Sequence, residues 1–460
     1  MSAGPGGFGW ARIARLGLVQ ACIGAVVVLT TSTLNRVMVV ELALPALVPG
    51  LLVALHYAVQ LMRPRMGHGS DVGGRRTPWI AGGMAVLAAG GSCAALATVW
   101  MASAPLAATA LAALGYAMVG VGVSASGTSL LVLLATRVAP ARRAAAATLV
   151  WVMMIVGFAV TAGVAGHLLD PYSPLRLLAV SSGVGALALL ITLIALRGLE
   201  PAARPPAPAE SSSRHVPFRL ALQQVWAEPV ARRFTVFVFV SMLAFSAQDL
   251  ILEPFAGQVH GYTPGQSTQL SGLQNGGVLA GMLLVAAAGT LAARAHRWPA
   301  LAALGSLRGW AVVGCVASAL ALFALALAGL QPDVWPLAPT VFALGVANGA
   351  FSIGAIGSMM RLAGDGRAAR EGVRMGLWGA AQAVAFGLGG ILGTAASDMA
   401  RWLIGQPGPA YGAVFALEGL LFLASAALAW RLGATGAVRR TVEPAADPRP
   451  APPRFAVDAN

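Results

Sequence analysis

Twelve apolar runs, each about as long as a membrane-crossing helix, fill most of this 460-residue sequence. They lie near 16–34, 44–62, 79–102, 106–135, 146–168, 175–196, 234–252, 270–293, 309–330, 335–360, 373–396 and 410–431. One crossing takes about 20 apolar residues, so twelve crossings with short loops use nearly the whole chain. Only 10% of residues are charged, against about 25% in a soluble domain. That balance excludes a soluble enzyme, a disordered chain and a secreted disulfide scaffold. Helix is forced, because backbone groups in lipid must be satisfied within their own segment, and no barrel-like alternation is present. The fold class is an all-α integral membrane protein.

All 30 basic residues are arginine, and formal net charge is +14. With the N-terminus placed in the cytoplasm, 27 arginines fall on the cytoplasmic side, leaving Arg36, Arg176 and Arg401 opposite. That asymmetry fixes an even number of spans with both termini inside. The arginines form short loop clusters without a basic, aromatic-lined groove, so no nucleic-acid partner is expected. Cys22, Cys93 and Cys315 are far apart inside apolar runs, which implies neither a metal site nor a disulfide.

A stretch rich in Pro and Ser at 197–232 interrupts the pattern and reads as a polar linker, within which 219–230 could form a surface amphipathic helix. The organisation is a cytoplasmic N-terminus at 1–15, a six-helix bundle at 16–196, the linker, a second six-helix bundle at 233–431, and a disordered cytoplasmic tail at 432–460. Between the second and third spans runs Gly67-His68-Gly69-Ser70-Asp71-Val72-Gly73-Gly74-Arg75-Arg76. This resembles the G-x-x-x-D-x-x-G-R-R loop of the major facilitator superfamily, in the place where that superfamily keeps it. The resemblance implies the major facilitator fold, with Gly67, Asp71, Gly74, Arg75 and Arg76 as a cytoplasmic latch between the halves. The matching place in the second half, 289–297, has Ala293 where the acid would be, a degenerate latch.

Three stretches point to one branch of that superfamily: Leu34-Asn35-Arg36-Val37-Met38-Val39-Val40-Glu41-Leu42, Arg63 to Ile80, and Asp249 to Gly261. They resemble the PucC-type bacteriochlorophyll-delivery proteins. The resemblance spans roughly 15–430 and implies a factor that handles bacteriochlorophyll, with chlorophyll synthase and light-harvesting subunits as candidate partners. No intrinsic cofactor is implied; the pigment is the ligand. The insert Val72-Gly73-Gly74 is shorter than in light-harvesting-linked members, which suggests a member working closer to pigment synthesis.

Polar residues inside spans are costly and so mark candidate sites. Arg36 and Asp249 are expected near the outer face, in one layer with Glu41, Glu253, Gln258 and His260. Arg36 pairing with Asp249 or Glu253, with Glu41 as a further partner, would make an outer gate; the alternative is charges snorkelling to the interface. His56, one turn before Gln60, could hold pigment magnesium or simply bond another helix. Gln274, Asn275, Asn348 and Gln382 could line a central cavity or tie helices together. Glu418 sits oddly near the middle of the last span, where lipid contact is expected.

Two functions follow: a pigment-handling assembly factor, or a proton-coupled carrier of a small amphipathic solute. A carrier of that kind needs a mid-membrane acid facing the cavity. The second-half acids other than Glu418 are expected at outer ends, which disfavours proton coupling. No phosphate loop, zinc motif, dinucleotide fingerprint or nucleophile elbow points to an enzyme.

Overall fold

A computed structural model describes residues 8–62, 75–139, 142–200, 223, 226–294, 304–364 and 371–440. Within them run twelve helices: α1 Trp10–Glu41, α2 Leu47–Met62, α3 Thr77–Trp100, α4 Pro105–Arg137, α5 Arg143–Leu169, α6 Pro174–Leu196, α7 Pro229–His260, α8 Pro264–Arg294, α9 Leu307–Ala328, α10 Leu337–Gly364, α11 Glu371–Ile404 and α12 Pro407–Arg440. All but the shorter α2 contain an apolar stretch long enough to cross a bilayer. The chain is a multi-pass membrane protein. The end that carries Trp10 is called proximal here, and the opposite end distal.

In the first six helices, α1 packs on α5 and α6, α3 on α4 and α6, and α2 on α4. The last six repeat this scheme: α7 packs on α11 and α12, α9 on α10 and α12, and α8 on α10. The seam joining the sets pairs α2 with α11 and α5 with α8, and the distal part of α1 with α7. Each seam pair maps onto the other when every helix is exchanged for the one six places away, the arrangement expected of internal repeats. Leu187, Leu190, Leu193 and Ile194 on α6 are exposed, as an apolar face turned to lipid must be.

Several helices outrun the apolar stretches that reveal them. Hydropathy sees only the lipid-crossing part, while the polar ends continue the same hydrogen-bond ladder. So α1 begins at Trp10, inside the expected N-terminal segment, and ends at Glu41; α7 begins at Pro229, inside the expected linker, and ends at His260. The first residues of the expected tail, up to Arg440, extend α12. The linker residues 201–222, 224 and 225, which include half of the proposed surface helix, and 441–460 lie outside the described residues.

At the proximal end, Glu200 is buried against the start of α3. Its Oε2 accepts from the backbone N–H groups of Arg76 and Thr77, each at 2.8 Å. A carboxylate there satisfies two of the donors that a helix start leaves unpaired and opposes the positive end of the helix dipole. Arg15 closes the neighbouring end of α6, donating to the carbonyls of Ala195 (2.8 Å) and Arg197. Glu200→Ala should therefore cost about 1–2 kcal/mol, the scale of a lost helix cap, read as a lower melting temperature in detergent. Melting equal to wild type would show that the cap is dispensable.

Candidate functional site between the two halves

Along the seam the distal end is closed by polar contacts. Arg36, only 2% exposed, lies five residues before the end of α1. It pairs with Glu41 and donates to the carbonyl of Tyr262, beyond α7, at 2.6 Å. Two π-helical turns, Leu29–Thr33 and Val37–Glu41, flank it; such widened turns re-aim side chains and gather at functional sites. Next to it, Asn35 donates to the Leu250 carbonyl at 2.6 Å, and about one turn further in the Thr33 and Thr268 hydroxyls meet at 3.1 Å. On the α5–α8 side, Thr263 donates to Asp170 at 2.8 Å. Burial pushes the Tyr172 phenol up, and the neighbouring Glu41 charge adds to the shift while Arg36 opposes it.

The α2–α11 side uses a helix start. Both oxygens of Asp398 accept from the backbone at the beginning of α2, from Ala46 N–H at 3.0 Å and Leu47 N–H at 2.8 Å. Arg401 pairs with Asp398 and donates to Gln258 Oε1 at 3.0 Å. Tyr411 also donates to Gln258 Oε1, and the Gln258 amide reaches the Val39 carbonyl at 3.3 Å. Nothing in the sequence alone singled out Asp398. The available signal was Arg401, one of three arginines on the arginine-poor side, with an acid three residues before it.

The expected gate pair is corrected in one respect. Arg36 takes Glu41 and a backbone carbonyl as its hydrogen-bond partners, not Asp249 or Glu253. Glu253 is buried within reach of the Arg36 charge and beside the Ser271, Ser32 and Ser267 hydroxyls, none of them at ordinary hydrogen-bond geometry. Asp249 lies deeper than expected, because α7 runs eleven residues past it, about 16 Å at 1.5 Å per residue. Its oxygen meets the Gln274 amide at 3.5 Å. The expectation of second-half acids at outer ends therefore fails for Asp249.

Proximal to this closure the seam becomes aromatic. Tyr57 of α2 packs on Phe386 of α11 with ring centroids 5.3 Å apart, and Phe386 packs on Phe245 of α7 at 5.9 Å. Gln382, one turn before Phe386, approaches the Met242 sulfur at 3.9 Å. All three rings are half-buried. His56 stands behind Tyr57, buried, with Nε2 2.8 Å from Gln60 Nε2. An amide nitrogen only donates, so the imidazole Nε2 lone pair accepts that hydrogen bond. Asn275 donates to the Ser271 carbonyl of its own helix at 2.9 Å. Asn348 faces the interior of the last six helices rather than the seam, accepting from Ser318 at 2.9 Å. Of the latch loop, Arg75 and Arg76 precede α3, while Gly67, Asp71 and Gly74 lie outside the described residues.

The family model for "PUCC protein" matches residues 33–437. The chain belongs to that family. Over 432 residues this PUCC-family chain is 52% identical to the "Bacteriochlorophyll synthase 44.5 kDa chain" of Rhodobacter capsulatus, covering 94% of this chain and 97% of the relative. It is 30% identical to "Protein PucC" of the same organism, with 91% of each chain covered. Among solved structures, an inward-facing bacterial homolog of the lysosomal transporter Spinster superposes with a TM-score of 0.63 at 17% identity, covering 93% of this chain and 96% of the other. The nucleoside transporter NupG superposes at 0.65 and 14%, covering 92% and 99%. These likenesses establish the major facilitator fold for the PUCC-family chain.

Proposed function

We propose that this protein binds bacteriochlorophyll, or a late precursor of it, and passes it on during assembly of light-harvesting or photosynthetic complexes. The carrying observation is family membership over residues 33–437, together with the relative at 52% identity that is named for bacteriochlorophyll synthesis. In this reading the proximal face is cytoplasmic, as the arginine distribution demands, and the membrane is the bacterial inner membrane. The synthase and antenna subunits are the partners, and the chain itself is not a catalyst.

The half-buried rings of Tyr57, Phe245 and Phe386 suit a flat, greasy macrocycle, which stacks on aromatic faces. Purification in mild detergent from a pigment-making host tests this. Long-wavelength bacteriochlorin absorbance that follows the protein through chromatography is expected, and Phe386→Ala should lower it. A colourless preparation that drives solute-dependent proton flux in liposomes would replace this reading with the proton-coupled carrier.

His56 would serve as the magnesium ligand only if Gln60 released its Nε2 lone pair. His56→Leu should therefore reduce pigment per folded protein, and Gln60→Leu should raise it. Pigment content indifferent to both substitutions would remove His56 from the site.

A further inference from the structure

Glu418 belongs to a stripe on α12 with Tyr411, Phe415 and Phe422, all buried. The stripe faces inward, not to lipid: Phe415 packs on Phe255 of α7 at 5.1 Å, and Phe422 on Phe351 of α10 at 6.0 Å. Glu418 is 2% exposed, and neither carboxylate oxygen has a hydrogen-bond partner. Three further buried polar residues share its depth. Counting from the distal ends, Gln248 on α7, Ser318 on α9, Asn348 on α10 and Glu418 on α12 all lie about 15–18 Å in. That is close to the middle of a hydrocarbon core about 30 Å thick.

Gln248 falls two helical turns from Phe255, on the face that meets α12, and is fully buried with neither amide atom bonded. The Asn348 amide nitrogen is likewise unpaired. Aromatic rings close the layer on both sides: Phe255 and Phe415 distally, Phe237, Phe351 and Phe422 proximally. A layer of unsatisfied donors and acceptors between such rings has the makeup of a site for buried water.

We propose that Glu418 is a proton-binding site at the centre of the last six helices, loaded and emptied through Asp249. An ionised carboxylate with no partner costs too much in this environment, so the carboxyl holds a proton. When ionised, Asp249 acts electrostatically on Glu418. It adjoins Gln248 in sequence, is only half-buried, and meets Gln274 at the seam. In the loading step Asp249 gives its proton to a bridging water, and that water gives one to the Glu418 carboxylate. An O–H bond forms at Glu418 as one breaks at Asp249, and the negative charge moves to the seam. Glu253, one turn distal on α7, and Arg36 beyond it are the other titratable or charged groups facing this route from α7 and α1. The proposal does not depend on what the protein carries.

Infrared difference spectroscopy of the full-length protein in lipid nanodiscs, through pH steps in light and heavy water, tests it. A protonated-carboxyl C=O band that rises and falls with pH is expected. Its Glu418 component should be lost in Glu418→Gln and shift in Glu418→Asp, the second variant serving if the first fails to fold. Asp249→Asn should keep the band and slow its deuterium exchange. No such band, a band untouched by either Glu418 substitution, or a band abolished by sodium at constant pH would overturn the proton site. Unchanged exchange in Asp249→Asn would overturn the route.

Discussion

Arg36→Ala should be among the most damaging single substitutions at the distal closure. The guanidinium is buried, pairs with Glu41, and donates across the seam to the Tyr262 carbonyl. Removing the guanidinium leaves the Tyr262 carbonyl without its donor, a loss of about 1–3 kcal/mol, while the surviving Glu41 charge, a third exposed, stays partly solvated. For a bundle of roughly 200 residues that is about 5 °C in melting temperature. Glu41→Gln should cost much less. Its side chain is 34% exposed, and Arg36 would keep the Tyr262 carbonyl. Because Arg36 ties α1 to the segment after α7, its loss should also loosen the seam. Cysteines placed at distal positions of both halves should then become more reactive to water-soluble thiol reagents. Arg176, which only caps a local turn through the Pro171 carbonyl, is the control. If Arg36→Ala and Arg176→Ala melt alike, Arg36 does not hold the closure.

Much of this was legible in the sequence, and the gaps have physical causes. Apolar run length and arginine asymmetry reveal twelve helices because lipid imposes one length and one charge rule on every span. Those rules are silent about where a helix ends outside lipid. The ends of α1 and α7 were therefore underestimated, and Asp249 was placed too near the surface. Arg36 and Glu41 stood out because a charge in an apolar run is conspicuous. Glu41 was the further partner expected of Arg36 and is the acid it pairs with, across a five-residue separation that spans the π-helical turn at Val37–Glu41. Asp398 was invisible because its partners are backbone N–H groups at the start of α2, which no side-chain pattern encodes. The aromatic seam of Tyr57, Phe245 and Phe386 was hidden by distance along the chain: three ordinary ring residues on three helices become a site only once α2, α7 and α11 are packed. Glu418 was expected to face lipid, and only its shared stripe with Phe415 and Phe422 reveals the inward direction.

Small-residue spacing says little by itself in a chain with 56 glycines, yet at one crossing it decides the packing. Gly277 and Gly281 on α8 face Gly345 and Gly349 on α10, two four-residue spacings interlocked. A Cβ on Gly281 would run into the Val346 carbonyl, and one on Gly345 into the Gln274 carbonyl. Small residues at such crossings let helix backbones approach closely in membranes. The obstacle to a larger side chain is rigid backbone, so the helices themselves would have to separate. Overpacking a core costs about 1–3 kcal/mol when side chains can move aside, occasionally more; at this crossing none of the relief comes from rotamers. Gly281→Leu should therefore give little or no monodisperse protein. Gly276→Leu, on the same helix, should be tolerated, because nothing lies within 4 Å of a Cβ placed there. Paired expression of the two variants, scored by the yield of monodisperse material on gel filtration, separates this crossing from general intolerance of leucine on α8. Equal recovery of both would mean that α8 and α10 can part at small cost. The α8–α10 contact would then be a sliding surface within the last six helices instead of a fixed one.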